Sequence, residues 1–297
     1  MGTVALPNPV MTASGTVGHG TEVGGYVDLS ALGAVVVKSL SAEPWAGNPA
    51  PRLHETAAGM LNSVGLQNPG VEAWIEHDLP ALERSGARVV ASIWGFTVEA
   101  YAKAAAMLAA VAPRLTAVEV NLSCPNIEAR RDMFAHSPAA TAEVVEATVA
   151  CGAPRWAKLS PNVTDLTEIA VAAIGAGAEG LTLINTVMGL AIDVERRRPR
   201  LGAGGGGLSG PAIRPVAVRA VYECRQALPE APIVGVGGVR TGEDAVELLM
   251  AGADAVQVGT ATFFEPRAPL RVVEELERWC RRHRVQHVRD LRGAAHA

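Results

Sequence analysis

Eight short apolar runs alternate with longer alanine- and leucine-rich segments along this chain, and that alternation restricts its fold more than any single motif. The β-type runs are Pro9–Ala13, Ala34–Lys38, Arg88–Ile93, Ala117–Asn121, Trp156–Leu159, Gly180–Ile184, Ile233–Gly235 and Ala255–Val258. Helix-type segments such as Val98–Ala112, Ala139–Ala150, Asp165–Ala176 and Glu243–Ala251 lie between them. Strands separated by helices pair in parallel, because each helix carries the chain back across the sheet before the next strand begins. Eight β–α units in 297 residues, with no shift of composition, predict an α/β chain forming one (β/α)8 TIM barrel. The domain is expected to span residues 1–297, with the barrel core at about 8–283. A doubly wound open sheet is the alternative. Gly205, Gly207 and Gly210 have the spacing of a dinucleotide loop, yet no clear strand leads directly into them. No acidic residue ends a strand about twenty positions later either, so Gly202–Gly210 reads as a flexible βα loop.

A barrel of this kind places its chemistry at the C-terminal ends of its strands. There the chain supplies Ser14, Lys38 with Ser39, Ser92, Asn121 with Cys124, Lys158, and Asn185 with Thr186. The seventh and eighth strands end in Gly237–Gly238 and Gly259–Thr260. Exposed backbone N–H groups there, each with a following helix N-terminus, predict a grip for a phosphorylated ligand. Only Lys38, Lys103 and Lys158 are lysines among 26 basic residues, and two of these three end strands. A chain that otherwise uses arginine keeps lysine where a compact ammonium is needed. Gly59–Gly70 lacks helical or strand periodicity and is rich in amides and glycines, as suits a ligand-contacting loop. In Asn121-Leu-Ser-Cys124-Pro-Asn126 a thiol stands at a strand end beside two amides and a hydroxyl. A lone cysteine is more often an inert core residue, and its position among the other strand ends shifts that balance.

A formal charge of −4 gives no reason to expect nucleic acid or an anionic membrane as partner. No stretch reaches the roughly eighteen apolar residues of a membrane span. No basic segment followed by an apolar core opens the chain, so no secretory leader is expected. Cys124, Cys151, Cys224 and Cys280 are far apart, which fits reduced cytoplasmic thiols and gives no local metal motif. His283 and His287 are expected on one helical face as surface residues, and Arg196–Arg200 as a solvated loop.

Together, Asn121-Leu-Ser-Cys124-Pro-Asn126, Asn62-Ser-Val-Gly-Leu66, Lys158-Leu-Ser-Pro161 and Gly235-Val-Gly-Gly238 resemble the class 1 dihydroorotate dehydrogenases over nearly the whole chain. The resemblance implies an FMN-binding barrel that oxidises dihydroorotate to orotate in pyrimidine synthesis. It implies Cys124 as the base for the C5 proton, with the C6 hydride passing to the flavin. A free thiol has a pKa of about 8.5, so the site must favour the thiolate. Lys38 matches a residue touching both substrate and flavin. Asn62, Ser63, Val64, Gly65, Leu66, Asn121, Asn126, Asn185 and Thr186 match substrate positions. Ser14, Ser39, Ser92, Asn121, Lys158, Ile184, Gly210, Gly237, Gly238, Gly259 and Thr260 match flavin positions, with Lys158 at the pyrimidine edge of the ring.

Gly65–Asn68 and Leu208–Ala212 look more like the NAD-dependent type than the fumarate-using type. That type implies a homodimer core within a heterotetramer, whose second subunit carries FAD and a 2Fe–2S cluster. Two departures stand out. Ser92 occupies a position where the NAD-dependent type usually has asparagine, which implies a weakened or water-mediated flavin contact. Residues 127–137 lack the common glycine-rich version and are expected to form the lid, with Arg130 and Arg131 on its solvated face. The other readings are a flavin barrel that reduces another pyrimidine, uracil or an RNA uridine, and a non-redox phosphate-binding barrel. Low aromatic content and negative charge oppose the RNA version.

Overall fold

In the computed structural model of the chain, which describes residues 2–123 and 133–296, eight parallel strands form the barrel. They are β1 (Val10–Thr12), β2 (Val35–Val36), β3 (Val89–Ile93) and β4 (Ala117–Asn121). Then come β5 (Arg155–Leu159), β6 (Gly180–Leu183), β7 (Ile233–Val236) and β8 (Ala255–Val258). Neighbours pair in order from β2 to β8, and β8 returns to β1 through Val10 opposite Val256. The ring closes between β1 and β2 with one parallel bridge, Met11 to Ala34. Thr12 strengthens that seam, since its Oγ1 accepts from the backbone N–H of Val36 at 2.9 Å.

The barrel interior is layered by the two-residue period of its strands. Its lower layer is Met11, Ala34, Val36, Val90, Ala117, Trp156, Val234 and Ala255, all fully buried. Trp156 is the largest side chain of this layer, and Gly180 on β6 makes room for it: a Cβ there would lie 3.0 Å from Trp156 Cδ1. Two residues further along the same faces stand Ser92, Glu119, Lys158, Thr182 and Gln257, so the interior turns polar just below the C-terminal mouth.

The helices follow from their caps. Thr97, Ser137 and Asp165 accept from backbone N–H groups at the starts of Val98–Leu108, Pro138–Ala147 and Leu166–Gly175. The first two helix-type segments end in 3-10 turns, Ala109–Arg114 and Val149–Cys151, rather than continuing as α-helix. Among the described residues, no helix is long and apolar enough to cross a membrane.

Over the mouth lies an antiparallel sheet that the sequence pattern did not suggest. Its order is Leu53–Thr56, Gly59–Asn62, Gly206–Ser209 and Val187–Gly189. This corrects two expectations. Gly59–Gly70 begins as a strand, and Gly202–Gly210 contains one, with Gly207 opposite Asn62. A strand paired on both sides also disposes of the dinucleotide loop, since Gly206–Ser209 does not open a helix after a parallel strand. Arg196–Arg200 belongs partly to a small ribbon, Ile192–Asp193 with Arg198–Pro199, in which Asp193 faces Arg196 and Arg200 at 3.9 and 3.5 Å. The last long helix ends at His283, which stacks on Trp279, so His287 does not share its face.

Candidate active site

One cavity of 680 Å³ opens between the barrel mouth and the covering sheet. Its walls bring together Ser14, Lys38, Ser39, Asn62, Ser63, Val64, Gly65, Leu66, Asn121 and Lys158. Ile184, Asn185, Thr186, Gly210, Gly237, Gly238, Gly259 and Thr260 complete the expected set. Cys124 and Asn126 lie outside the described residues, as do Arg130, Arg131 and most of the expected lid. Of the lid's described end, Met133 lines the cavity and Phe134–His136 forms a 3-10 turn.

Ser92 is placed differently from the other expected residues. It does not line the cavity. Its hydroxyl lies 2.9 Å from Ser39 Oγ and 3.3 Å from Glu119 Oε1, beneath the floor. Ser39 in turn lies 3.2 Å from Ser14 Oγ and accepts from Asn121 Nδ2 at 3.2 Å. Hydroxyls and amides from four strand ends therefore form one network running down from the cavity.

That network ends on Glu119, which the sequence reading passed over. Its Oε1 faces Lys158 Nζ at 3.4 Å, and its Oε2 accepts from Gln257 Nε2 at 3.0 Å. The signal was available: Glu119 precedes Asn121 by two residues, so both side chains leave the strand on the same face. Gln257 Oε1 and Thr182 Oγ1 are buried in the same layer with no partner among the described residues.

Lys38 reaches the cavity past Gly15, where a Cβ would stand 3.4 Å from its Nζ. Gly15 has φ +82°, so a side chain there would meet both strain and the lysine. His19, one turn of loop further, carries an imidazole whose pKa is lowered, first by burial and also by the charge of Lys38, against the opposing pull of Glu22. Asn48 was also missed; it donates to Ser63 Oγ at 2.9 Å and so fixes the loop that carries Asn62–Leu66.

At the other end of the cavity, Gly237 and Gly238 have φ +135° and +75°. A Cβ at Gly238 would lie 2.5 Å from Arg214 Cβ, so only glycine lets this turn pass. In the helix after β7, Gly242–Ala251, several of the N-terminal donors expected to face a phosphate already have protein partners. Asp244 Oδ2 accepts from Arg240 N and Thr241 N, Thr241 Oγ1 accepts from Asp244 N, and Glu275 accepts from Gly242 N. The capping box accounts for the Thr241 and Asp244 donors, and Glu275 for that of Gly242. After β8, Thr260 leads directly into the short helix Ala261–Phe264, and its Oγ1 donates to Ser209 Oγ at 2.8 Å.

Comparison with known proteins accords with this geometry. The family described as Dihydroorotate dehydrogenase matches residues 2–279. The chain is 52% identical over 294 residues to the dihydroorotate dehydrogenase B (NAD(+)) catalytic subunit of Desulforudis audaxviator, covering 99% of this chain and 95% of that one. It is 48% identical over 292 residues to the protein of the same name from Alkaliphilus metalliredigens, covering 98% and 96%. A Solibacter usitatus protein, provisionally named dihydroorotate dehydrogenase A (fumarate), is 50% identical over 291 residues, covering 98% and 95%. This chain belongs to the dihydroorotate dehydrogenase family.

Proposed function

We propose that this chain oxidises dihydroorotate to orotate in pyrimidine biosynthesis, using FMN held in the cavity at the barrel mouth. One observation carries the reading: a single cavity gathers Lys38, Lys158, four amide or hydroxyl side chains (Asn62, Asn121, Asn185, Thr186) and a glycine turn. Its residues fit a flavin mononucleotide. Gly237–Gly238 offers a side-chain-free turn and Thr260 a hydroxyl toward the phosphate end, while Lys158 and Lys38 supply cations for the ring. Ala13, Ile184 and Val236 supply apolar wall between them. When bound, FMN supplies the acceptor for the substrate's C6 hydride.

The chain's own residues do the rest. Cys124, by the family resemblance, takes the C5 proton. Lys38 balances the negative charge of the orotate system, and the amides of Asn62, Asn121, Asn126 and Asn185, with Thr186, orient the substrate ring. Residues 127–137 shield the reaction from water.

Electrons leave, on this reading, through a second subunit. Relatives named as catalytic subunits support a partner, and we take it to carry FAD and a 2Fe–2S cluster and to pass electrons to NAD. Two such chains would form the homodimer core of a heterotetramer. Exposed Met188, Phe263 and Phe264 at the cavity rim supply apolar surface for such a contact. The fumarate-type name of the Solibacter usitatus relative supports a second reading, direct transfer to a soluble dicarboxylate. Free thiols at Cys151, Cys224 and Cys280 support a cytoplasmic setting.

The test is anaerobic titration of the FMN-loaded chain with dihydroorotate. The oxidised flavin absorbance is expected to bleach as orotate appears. A protein that takes up no flavin, or holds flavin that dihydroorotate leaves oxidised, would refute the reading.

A further inference from the structure

We propose that Glu119 is a positioning residue for Lys158: it aims the ammonium at the flavin and sets how much positive charge the reduced ring feels. The inference rests on the flavin reading above and deepens it.

Glu119 is fully buried in the barrel interior and does not reach the cavity. Lys158 does reach the cavity, so the carboxylate stands behind the ammonium as seen from the ligand. Donors from three other strands hold that carboxylate: Ser92 of β3 and Lys158 of β5 on Oε1, Gln257 of β8 on Oε2. A carboxylate fixed on several sides cannot follow the lysine, so the lysine must orient to it.

Stability does not account for the arrangement. A buried ion pair is often no more stabilising than apolar residues of the same volume, and the layer below shows how readily this barrel packs an apolar interior. Gln257 Oε1 and Thr182 Oγ1 have no partner among the described residues, a further cost that an apolar layer would avoid. A use at the ligand does account for it. An uncompensated ammonium facing the ring would favour the anionic reduced flavin strongly, and a carboxylate behind it tempers that pull. Ser92 joins the same device: its hydroxyl links Ser39, on the cavity wall, to the carboxylate.

The experiment measures the two-electron midpoint potential and the affinity for sulfite, which adds to oxidised flavin and reports positive charge near the ring. Both are read on flavin-saturated protein. Glu119→Gln is expected to favour reduction about tenfold, close to 30 mV for a two-electron couple, and to tighten sulfite binding by a similar factor. In a Lys158→Gln background the same substitution is expected to change either quantity less than about twofold, since the lysine carries the effect. An unchanged potential and sulfite affinity in Glu119→Gln would overturn the proposal, as would a full shift that persists without Lys158. If Glu119→Gln does not fold, Gln257→Met keeps both charges but removes a donor from the carboxylate. Its potential is expected to fall, and a rise or no change would overturn the proposal. Failure of dihydroorotate to bleach the parent protein would count against the functional reading alone. Normal bleaching with indifferent potentials would count against Glu119 alone.

Discussion

Asn185 Nδ2 donates to Oδ1 of Asn121 across 3.1 Å, joining the ends of β6 and β4 over the intervening strand. The same Oδ1 accepts from the backbone N–H of Ser123 at 3.2 Å, and Asn121 Nδ2 donates to Ser39. Both ends of the Asn121 amide are thus committed, which leaves it one orientation. Its strand is held from the outside as well, because the Tyr101 hydroxyl donates to the Asn121 carbonyl at 2.6 Å.

Asn185→Ala is therefore expected to act partly through Asn121. We predict a KM for dihydroorotate raised about tenfold, or about 1.4 kcal/mol, the scale of one lost hydrogen bond. The double variant with Asn121→Ala should cost less than the sum of the two single ones, and steady-state kinetics on all three variants measures this. Full additivity would mean that the two amides act separately.

Cys124→Ser exchanges a thiol for a far weaker acid. Flavin reduction by dihydroorotate near neutral pH is expected to slow by orders of magnitude, and to recover as pH rises. Anaerobic stopped-flow absorbance measures it. Unchanged kinetics would remove Cys124 from the mechanism.

Gly238→Ala places a Cβ 2.5 Å from Arg214 Cβ at a backbone φ of +75°. Strain of about 1–3 kcal/mol is expected in a turn that faces the cavity. FMN should be held at least about tenfold more weakly, judged by fluorescence of released flavin after dilution. An alanine variant that retains flavin as the parent does would take this turn out of the cofactor grip.

His19 gives a pH signature. Its folded pKa is lowered from 6.5, mainly by burial, so the unfolded chain binds this proton first. Its contribution to stability is complete above pH 6.5 and is lost as pH falls toward the lowered folded value. His19→Gln should flatten the decline in melting temperature over that acid window and leave neutral pH little affected. An identical acid decline in both proteins would show that other groups control it.

The isolated chain should turn over little NAD, since no acceptor route to NAD is assigned to its own residues. Assays with dihydroorotate plus NAD, and separately plus fumarate, distinguish the two acceptor readings. Robust NAD reduction without an added subunit would contradict the partner argument, and rapid fumarate reduction would favour the second reading.

The barrel was legible because burial and period act locally: each of the eight apolar runs overlaps one observed strand. The covering sheet was not, for a physical reason. Gly59, Gly206 and Gly207 carry no side chains to alternate, and the register of Gly207 with Asn62 is fixed by pairing across 145 positions. A Cβ at Gly207 would fall 2.0 Å from Thr186 Oγ1, so the missing side chains are what let the sheet lie against the site. Glu119 was overlooked because its neighbours are apolar, though the two-residue period places it with Asn121. The capped helix after β7 was also readable, as Thr241-Gly-Glu-Asp244 has the spacing of a capping box.

The covering sheet also orders events in time. The residues of its first hairpin, Leu53–Thr56 with Gly59–Asn62, are all made early in synthesis, but its inner edge has no neighbour until Gly206–Ser209 emerges. A nascent chain shorter than that displays an open sheet edge where the finished protein has a roof. Asn62 therefore takes its place over the cavity only after two-thirds of the polypeptide has left the ribosome.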